Sequence, residues 1–347
     1  MVILPETERG RYMKDDASAI IVSVIIPVYN EEKHIEGVIK SLINQTYPCE
    51  NMEWIFVDGY SSDKTQEIIE SYQNEYPIRL IINKIRKTPS SLNLGIRTSR
   101  GKYIIRMDAH ALFPTDYISN CINVLEFTGA DNVGGYIETK AEGVVGRTIA
   151  YVLSTQFGVG GSLFRLGNKE GYVDTVPFGA FRREIFDKIG LFNEDLPRSE
   201  DNDINARITE SGGNVYLSKC IHSIYYCRDS VMGILKQGIL NGNALFKTLW
   251  INPSAMSIRH YIPFLFLLSL IILPLGSESF IWLKWIFVIE LICYVTLDVV
   301  YSFKADAIEL RITAIWLYPL FHMSYGIGSL LGLFGIDLTK VNNEINK

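Results

Sequence analysis

The stretch of sequence that decides the fold is Tyr103-Ile104-Ile105-Arg106-Met107-Asp108-Ala109-His110. Its first five residues are mostly apolar and β-branched or aromatic, a pattern that predicts a strand buried in a core. Asp108 and His110 follow that strand two residues apart. At the end of a strand this spacing places both side chains on one side of the chain, where a divalent metal can meet a carboxylate and an imidazole.

Strand-like and helix-like segments alternate upstream of this stretch. Near-continuous apolar runs, typical of strands buried on both faces of a parallel sheet, occupy 20–27, 54–58 and 79–82. Segments with the spacing or capping residues of helices follow at 35–43, 61–69 and 90–99. This alternation predicts an α/β fold, with a mostly parallel sheet and helices on both of its faces.

Polar residues stand where three of these strands end. Tyr29 and Glu31 follow the first strand, Asp58 ends the second, and Asp108 ends the fourth. Ligands of such sheets bind outside the carboxyl ends of the strands, so these residues predict a nucleotide-binding crevice. Neither a GxGxxG fingerprint nor a GxxxxGK[ST] loop is present in the sequence. A nucleotide diphosphate bound here must therefore be neutralised by a metal and by basic side chains.

Composition limits the class of protein further. The 347 residues include 33 Lys and Arg against 38 Asp and Glu, a net charge of −5 that does not suit a nucleic-acid partner. The five cysteines form no CxxC pair, which indicates reduced thiols rather than a disulfide framework. The mean hydropathy is +0.14, high for a soluble protein, and the apolar excess lies at the C-terminal end.

The C-terminal third predicts contact with a membrane. An amphipathic helix at 232–250 suits a bilayer surface, with a core helix as the equal alternative. Three apolar runs follow, at 261–275, 280–301 and 312–334, and the last is the cleanest candidate span. Arg259, Lys304 and Arg311 lie at loop positions that favour a cytoplasmic catalytic domain at the cell membrane. The alternative is soluble packing of the whole tract.

Five motifs occur in one order along the chain. They are 22–32 (VSVIIPVYNEE), 57–65 (VDGYSSDKT), 108–110 (DAH), 177–183 (PFGAFRR) and 199–207 (SEDNDINAR). Together they resemble the family 2 inverting glycosyltransferases, whose catalytic domain has the Rossmann-like GT-A fold. The resemblance covers roughly residues 20–250. Most of that family has Asp-x-Asp at the third motif, and Asp108-Ala109-His110 is similar to the branch of succinoglycan-biosynthesis glucosyltransferases.

The resemblance implies roles for individual residues. It assigns binding of the nucleotide sugar to Pro27, Tyr29, Glu31, Asp58, Asp108 and Arg228. It implies a divalent metal, Mn²⁺ or Mg²⁺, on Asp108 and His110, with His222 as a further candidate ligand. Since imidazole is a better ligand for Mn²⁺ than for Mg²⁺, His110 favours manganese. The alternatives for His110 are a hydrogen bond to the diphosphate and capping of the next turn, and the alternative for His222 is a core position.

Asp201 is the catalytic residue that the resemblance implies. In the family the matching aspartate is the general base that takes the proton from the acceptor hydroxyl, since an inverting transfer needs one carboxylate opposite the leaving diphosphate. The alternative is an acidic helix N-terminus without catalysis, formed by Glu200, Asp201 and Asp203. Gln237 is not followed by the Arg-Trp pair of the QxxRW motif of processive synthases, so a single sugar is expected per binding event.

The sequence thus predicts a membrane-anchored, non-processive inverting glycosyltransferase. It is expected to move a hexose, with glucose and UDP as first candidates, to a lipid-linked saccharide in exopolysaccharide or cell-surface glycan synthesis. The alternatives are transfer to a polyprenyl phosphate and a non-catalytic sugar-nucleotide scaffold. Oligomeric state stays open. The expected segments are a flexible tail (1–18), the GT-A domain (19–231), an interface helix and linker (232–260), an anchor of two to three helices (261–335) and a second tail (336–347).

Overall fold

The computed structural model describes residues 20–167, 169–196 and 198–338. The predicted tail at 1–18 and the positions from 339 onward lie outside the described residues. The strands are β1 (Val22–Val28), β2 (Met52–Asp58), β3 (Ile78–Ile82), β4 (Tyr103–Arg106), β5 (Ala111–Leu112), β6 (Asn132–Lys140), β7 (Gly171–Tyr172), β8 (Ala180–Arg182) and β9 (Val215–Tyr226).

Helices follow the first three strands, as the alternating pattern predicted. The helices are α1 (Ile35–Ile43), α2 (Thr65–Tyr72), α3 (Thr88–Thr98), α4 (Tyr117–Thr128), α5 (Gly143–Val152), α6 (Gln156–Val159), α7 (Leu163–Leu166), α8 (Glu184–Ile189), α9 (Glu200–Glu210), α10 (Val231–Ile251), α11 (Ile262–Gly276), α12 (Ile281–Phe303) and α13 (Ile308–Leu333). The predicted α/β class is confirmed.

The strands form one sheet in the order β3-β2-β1-β4-β8-β6-β9-β5, with β7 beside β9. The first four strands pair in parallel, while β8 runs antiparallel to both of its neighbours. Alternate residues of β1 enter two separate cores: Val24 packs on one face and Ile25 on the other. Both faces are covered because each strand of a parallel sheet is followed by a helix that packs back onto it.

The register of the sheet brings the polar strand ends together. Val28 at the end of β1 lies opposite Asp58 at the end of β2, and Ile25 lies opposite Arg106 at the end of β4. The residues that follow these strands therefore emerge at the same edge. This edge carries the candidate site described below.

Two C-terminal helices, α10 and α13, approach closely through glycines. A Cβ added to Gly242 would lie 2.0 Å from the carbonyl oxygen of Tyr325, and one added to Gly328 would lie 2.0 Å from that of Ile239. Both glycines belong to GxxxG sequences, at 238–242 and 328–332. Such spacing puts small residues on one helix face and lets two backbones meet. The two glycine pairs are therefore the feature of the sequence that indicates this close packing of α10 and α13.

The helix that best suits a membrane is not the one expected. Within the described part of the chain, α12 is the one helix long and apolar enough to span a bilayer. Its apolar side chains point outward, with Ile289 59% and Ile292 61% exposed. The run at 312–334, expected to be the cleanest membrane span, forms most of α13. In this helix Leu317 and Tyr318 are fully buried, in a cluster with residues of α5. The number of spans and the segment boundaries stay predictions.

Candidate active site

A cavity of about 180 Å³ opens at the carboxyl ends of β1, β2 and β4. Five of the residues singled out from the sequence line it: Pro27, Tyr29, Glu31, Asp108 and His110. The cavity has further walls that the sequence analysis did not identify, formed by Val28, Gly59, Arg86, Lys87, Thr88, Ser91, Arg106 and Ala109. The sheet edge thus gathers residues from segments up to about 80 positions apart in the chain, as parallel topology requires.

Three loops at this edge hold non-glycine residues at positive φ. They are Asn30 (φ 53°), Tyr60 (φ 65°) and Arg86 (φ 57°), which follow β1, β2 and β3. Non-glycine residues in this conformation cost energy and cluster at functional sites. Arg86 lies over the Tyr29 ring at 5.2 Å and over the Tyr60 ring at 5.9 Å, each measured from the guanidinium carbon to the ring centre. A cationic and aromatic wall of this kind suits a nucleotide.

Asp58 holds a loop instead of lining this cavity. Its side chain is fully buried, and its carboxylate accepts hydrogen bonds from the Ser61 amide (2.9 Å), the Ser61 hydroxyl (2.5 Å) and the Gln66 amide group (2.6 Å). These bonds fix the turn between β2 and α2, on which Gly59 faces the cavity. A direct contact of Asp58 with the nucleotide stays a prediction.

His110 and Glu31 meet across the cavity. His110 Nδ1 lies 3.6 Å from a Glu31 carboxylate oxygen, and its ring meets the edge of Tyr225 at 5.5 Å between ring centres. Burial opposes the charged imidazole, but the neighbouring carboxylates of Glu31 and Asp108 outweigh it and raise the pKa of His110. Arg228, an exposed residue just after β9, lies close enough to counteract this rise.

His222 is not brought to this group. It lies three positions before Tyr225 on β9, so its side chain points to the opposite face of the sheet. There its Nε2 lies 3.4 Å from a Glu138 carboxylate oxygen, and its ring stacks on Tyr136. The predicted role of His222 as a metal ligand has no support in this placement.

Arg106, a residue not predicted from the sequence as part of the site, forms ion pairs with three of its carboxylates. Only 5% of the residue is exposed, at the end of β4. Its guanidinium forms ion pairs with Asp108 (3.3 Å), Glu200 (3.3 Å) and Asp201 (2.6 Å). An arginine inside an apolar strand was the available signal, because a buried arginine is almost always paired.

Glu200 and Asp201 open α9 beside a second cavity of about 130 Å³. Burial raises the pKa of Glu200 to about 7 and raises that of Asp201, and the charge of Arg106 offsets this only in part. The Asp201 side chain remains 24% exposed. Arg106 therefore links the two cavities: it lines the first and holds a carboxylate that lines the second.

Comparison with known proteins identifies the family of this chain. The sequence model of Glycosyl transferase family 2 matches residues 23–190. Over 277 residues the chain is 31% identical to a dolichyl N-acetyl-alpha-D-glucosaminyl phosphate 3-beta-D-2,3-diacetamido-2,3-dideoxy-beta-D-glucuronosyltransferase of Methanococcus voltae, covering 77% of this chain and 85% of that protein. It is 25% identical over 252 residues to the succinoglycan biosynthesis protein ExoA of Rhizobium meliloti, covering 72% and 76%.

Solved structures support the fold. A mannosyltransferase of Pyrobaculum calidifontis, solved with GDP-Man and Mn²⁺, superposes with a TM-score of 0.58 at 15% identity, covering 90% of this chain and 87% of that one. TarS of S. aureus in complex with UDP-GlcNAc gives 0.50 at 14% identity, covering 91% and 92%. The chain belongs to glycosyltransferase family 2 and is a glycosyltransferase with an α/β fold of the GT-A type. The predicted resemblance, including that to the succinoglycan branch, is confirmed.

Proposed function

We propose that this glycosyltransferase moves a hexose, with glucose as the first candidate, from a nucleotide diphosphate sugar to a lipid-linked saccharide, with inversion and one sugar per binding event. One observation carries the proposal. A single buried guanidinium, that of Arg106, holds both the donor-side carboxylate of Asp108 and the candidate base Asp201. The carboxylate proposed to hold the metal and the carboxylate proposed as the base are thereby fixed relative to each other.

The first cavity is the proposed donor site. Tyr29 and Arg86 offer a stacked aromatic and cationic wall to the nucleotide, and Pro27 and Glu31 complete it. UDP is the first candidate nucleotide. Lys87 in the wall and Arg228 beside His110 supply positive charge near the proposed diphosphate. These charges do in part what a glycine-rich phosphate loop does in other nucleotide-binding folds.

Asp108 and His110 suit a divalent metal whose coordination shell is completed by the bound substrate. Asp108 offers a carboxylate and His110 an imidazole, the ligand types that Mn²⁺ accepts. Within 20–167, 169–196 and 198–338 no group of three His, Cys, Asp or Glu side chains could hold a metal alone. Metals bound with substrate phosphates commonly take one or two protein ligands and water besides. When bound, such a metal stabilises the charge that develops on the leaving diphosphate.

Asp201 is the proposed general base. Its Oδ1 accepts the hydrogen bond from Arg106, which fixes the carboxylate, while partial exposure to the second cavity lets an acceptor hydroxyl reach the other oxygen. As the hydroxyl oxygen bonds to the anomeric carbon, its proton passes to Asp201. The bond from that carbon to the diphosphate breaks on the opposite face, which inverts the configuration. The raised pKa of Asp201 favours accepting that proton.

Two observations support a lipid-linked acceptor: the names of two relatives and the exposed apolar surface of α12. The Methanococcus voltae relative is named for a dolichyl-linked sugar phosphate, and the Rhizobium meliloti relative for succinoglycan biosynthesis. The exposed apolar surface of α12 suits a bilayer, which holds such acceptors. We place the protein at the cell membrane, with the catalytic domain on the cytoplasmic side where nucleotide sugars are made.

The test is Asp201→Asn in the purified full chain. Transfer from a panel of UDP- and GDP-sugars with Mn²⁺ to extracted membrane lipids is expected to fall at least about 1000-fold, while binding of the donor stays within about twofold. Asp195→Asn, at an exposed position just before α9, is the matched control and keeps full transfer. Normal transfer by Asp201→Asn would refute the role of this base. Retained transfer to polyprenyl phosphate alone would favour the second enzyme hypothesis, and turnover of no donor would favour the scaffold.

A further inference from the structure

Arg165, on α7, is half-buried, and no acid that the structure describes lies beside its guanidinium. It donates a hydrogen bond to the Thr139 hydroxyl (3.1 Å) and lies over the rings of Phe164 (5.7 Å) and Tyr225 (5.8 Å). Among the described residues, no carboxylate lies within ion-pair distance of it, and burial lowers its pKa. A guanidinium removed from water without a counterion is costly unless a bound anion supplies one.

Arg198, just before α9, has a similar surplus of charge. It donates a hydrogen bond to the Asn241 side chain of α10 (3.0 Å). Partial desolvation lowers its pKa, Glu200 offsets this only in part, and the neighbouring charge of Arg228 adds to the lowering. Within the described part of the chain Arg198 likewise lacks a carboxylate at ion-pair distance.

The two arginines flank the compartment of the candidate base. Arg198 lines the second cavity with Glu200 and Asp201, and Phe164, the neighbour of Arg165 in the chain, lines the same cavity. The donor side has separate cations, since Arg86 and Lys87 line the first cavity and Arg228 lies by His110.

A third cavity continues from Arg198 toward the C-terminal helices. It measures about 220 Å³ and shares Arg198 and Ser199 with the second cavity. Its walls come from α10 and from the end of α13, and they include the apolar side chains of Trp250 and Ile336, 61% and 45% exposed. Lys247 in this wall is paired with Asp337 at 2.9 Å. The cavity thus runs from unpaired positive charge to exposed apolar surface.

We propose that Arg165 and Arg198 bind the phosphate that links lipid to sugar in the acceptor. The saccharide then lies at Asp201, and the lipid chain follows the third cavity between α10 and α13. Guanidinium groups suit this ligand because their planar donors match phosphate oxygens. The inference rests on the proposed function, since it names the part of the acceptor that this site recognises. The donor diphosphate is the competing source of the same chemistry.

The experiment measures binding, so it does not depend on transfer. The full chain in detergent micelles is titrated with farnesyl diphosphate, with farnesol, and with UDP plus Mn²⁺. Arg165→Gln and Arg198→Gln are each expected to weaken farnesyl diphosphate binding by about tenfold or more and to leave UDP binding within about twofold. Arg228→Gln is expected to show the opposite pattern. Lys236→Gln, an exposed cation on α10, is the matched control and changes neither affinity.

Two results would overturn the proposal. One is a loss of UDP binding in Arg165→Gln and Arg198→Gln with farnesyl diphosphate binding intact, which assigns both arginines to the donor. The other is equal binding of farnesol and farnesyl diphosphate, which excludes recognition of the phosphate. Should Arg165→Gln not fold, Arg198→Gln at its exposed position decides alone. Failure of the proposed function shows separately, as intact lipid phosphate binding without any sugar transfer.

Discussion

The Nη1 of Arg106 lies 2.6 Å from Oδ1 of Asp201, a residue 95 positions further along the chain. The same guanidinium pairs with Asp108, two positions away at the end of its own strand. One buried cation thereby sets the distance between the proposed donor side and the proposed acceptor side. Since a guanidinium is planar and its donors are fixed, it can hold the three carboxylates in set directions, whereas the donors of an ammonium group rotate.

Replacing Arg106 with Met is expected to damage both stability and catalysis. The change leaves Asp108, Glu200 and Asp201 without their common counterion, and breaking a buried ion pair costs about 3–5 kcal/mol. The free energy of unfolding should fall by that order, and kcat by at least about 100-fold. Denaturant titration and steady-state kinetics measure the two effects.

Arg106→Lys separates charge from geometry in this site. It keeps the positive charge but not the fork of donors, so stability should recover more than kcat does. Arg97→Gln, an exposed position on α3, is the control and should match the wild type. Full activity of Arg106→Met would contradict the positioning role of this residue.

Glu200 should make stability depend on pH. Burial raises its pKa from 4.5 to about 7, so the folded state keeps a proton that the unfolded state loses near pH 4.5. The contribution of Glu200 to stability is then greatest below that pH and falls as pH rises toward about 7. Glu200→Gln, neutral at every pH, should flatten this fall. Thermal unfolding midpoints between pH 5 and pH 7.5 in both proteins measure it, with exposed Glu75→Gln as the control. An unchanged slope in Glu200→Gln would exclude Glu200 as its source.

His110 should control the response to metal. Chelation of divalent ions is expected to stop transfer, and Mn²⁺ should restore it. In His110→Ala the Mn²⁺ concentration for half-maximal turnover should rise by about 10–100-fold. The reason is that the site has few protein ligands and this change removes one that would bind the metal directly. His222→Ala should leave that concentration unchanged, since β9 directs His222 to Glu138. An unaltered Mn²⁺ response in His110→Ala would remove His110 from the metal site.

The glycine contacts between α10 and α13 should be sensitive to a single methyl group. In Gly328→Ala the new Cβ would meet the Ile239 carbonyl oxygen at 2.0 Å, so the helices must separate. A loss of about 1–3 kcal/mol in stability is expected, as for overpacked cores. Gly161→Ala, where a Cβ meets nothing within 4 Å, is the control. Thermal unfolding in detergent compares them, and equal midpoints would show that this interface yields without cost.

Local patterns predicted much of the fold because they depend on neighbours in the chain. Apolar runs and helical spacing indicated the strands and helices up to β4, and strand ends indicated Tyr29, Glu31, Asp108 and His110, which do line one cavity. The Asp108-Ala109-His110 motif was informative for the same reason. Its residues are adjacent, so their common placement follows from one strand end.

The sequence by itself thus determined the alternation of β1 to β4, the sheet edge that gathers the cavity, and the family. The tertiary structure decided which side chains form ion pairs and hydrogen bonds with each other. Arg106 had no predicted role until the fold brought α9 against the end of β4. Asp58 was predicted to bind the nucleotide sugar, and in the fold its carboxylate accepts hydrogen bonds that hold the turn after β2. The reason is physical: strand and helix patterns arise from period and propensity, whereas ion pairs and face assignments depend on register between distant segments.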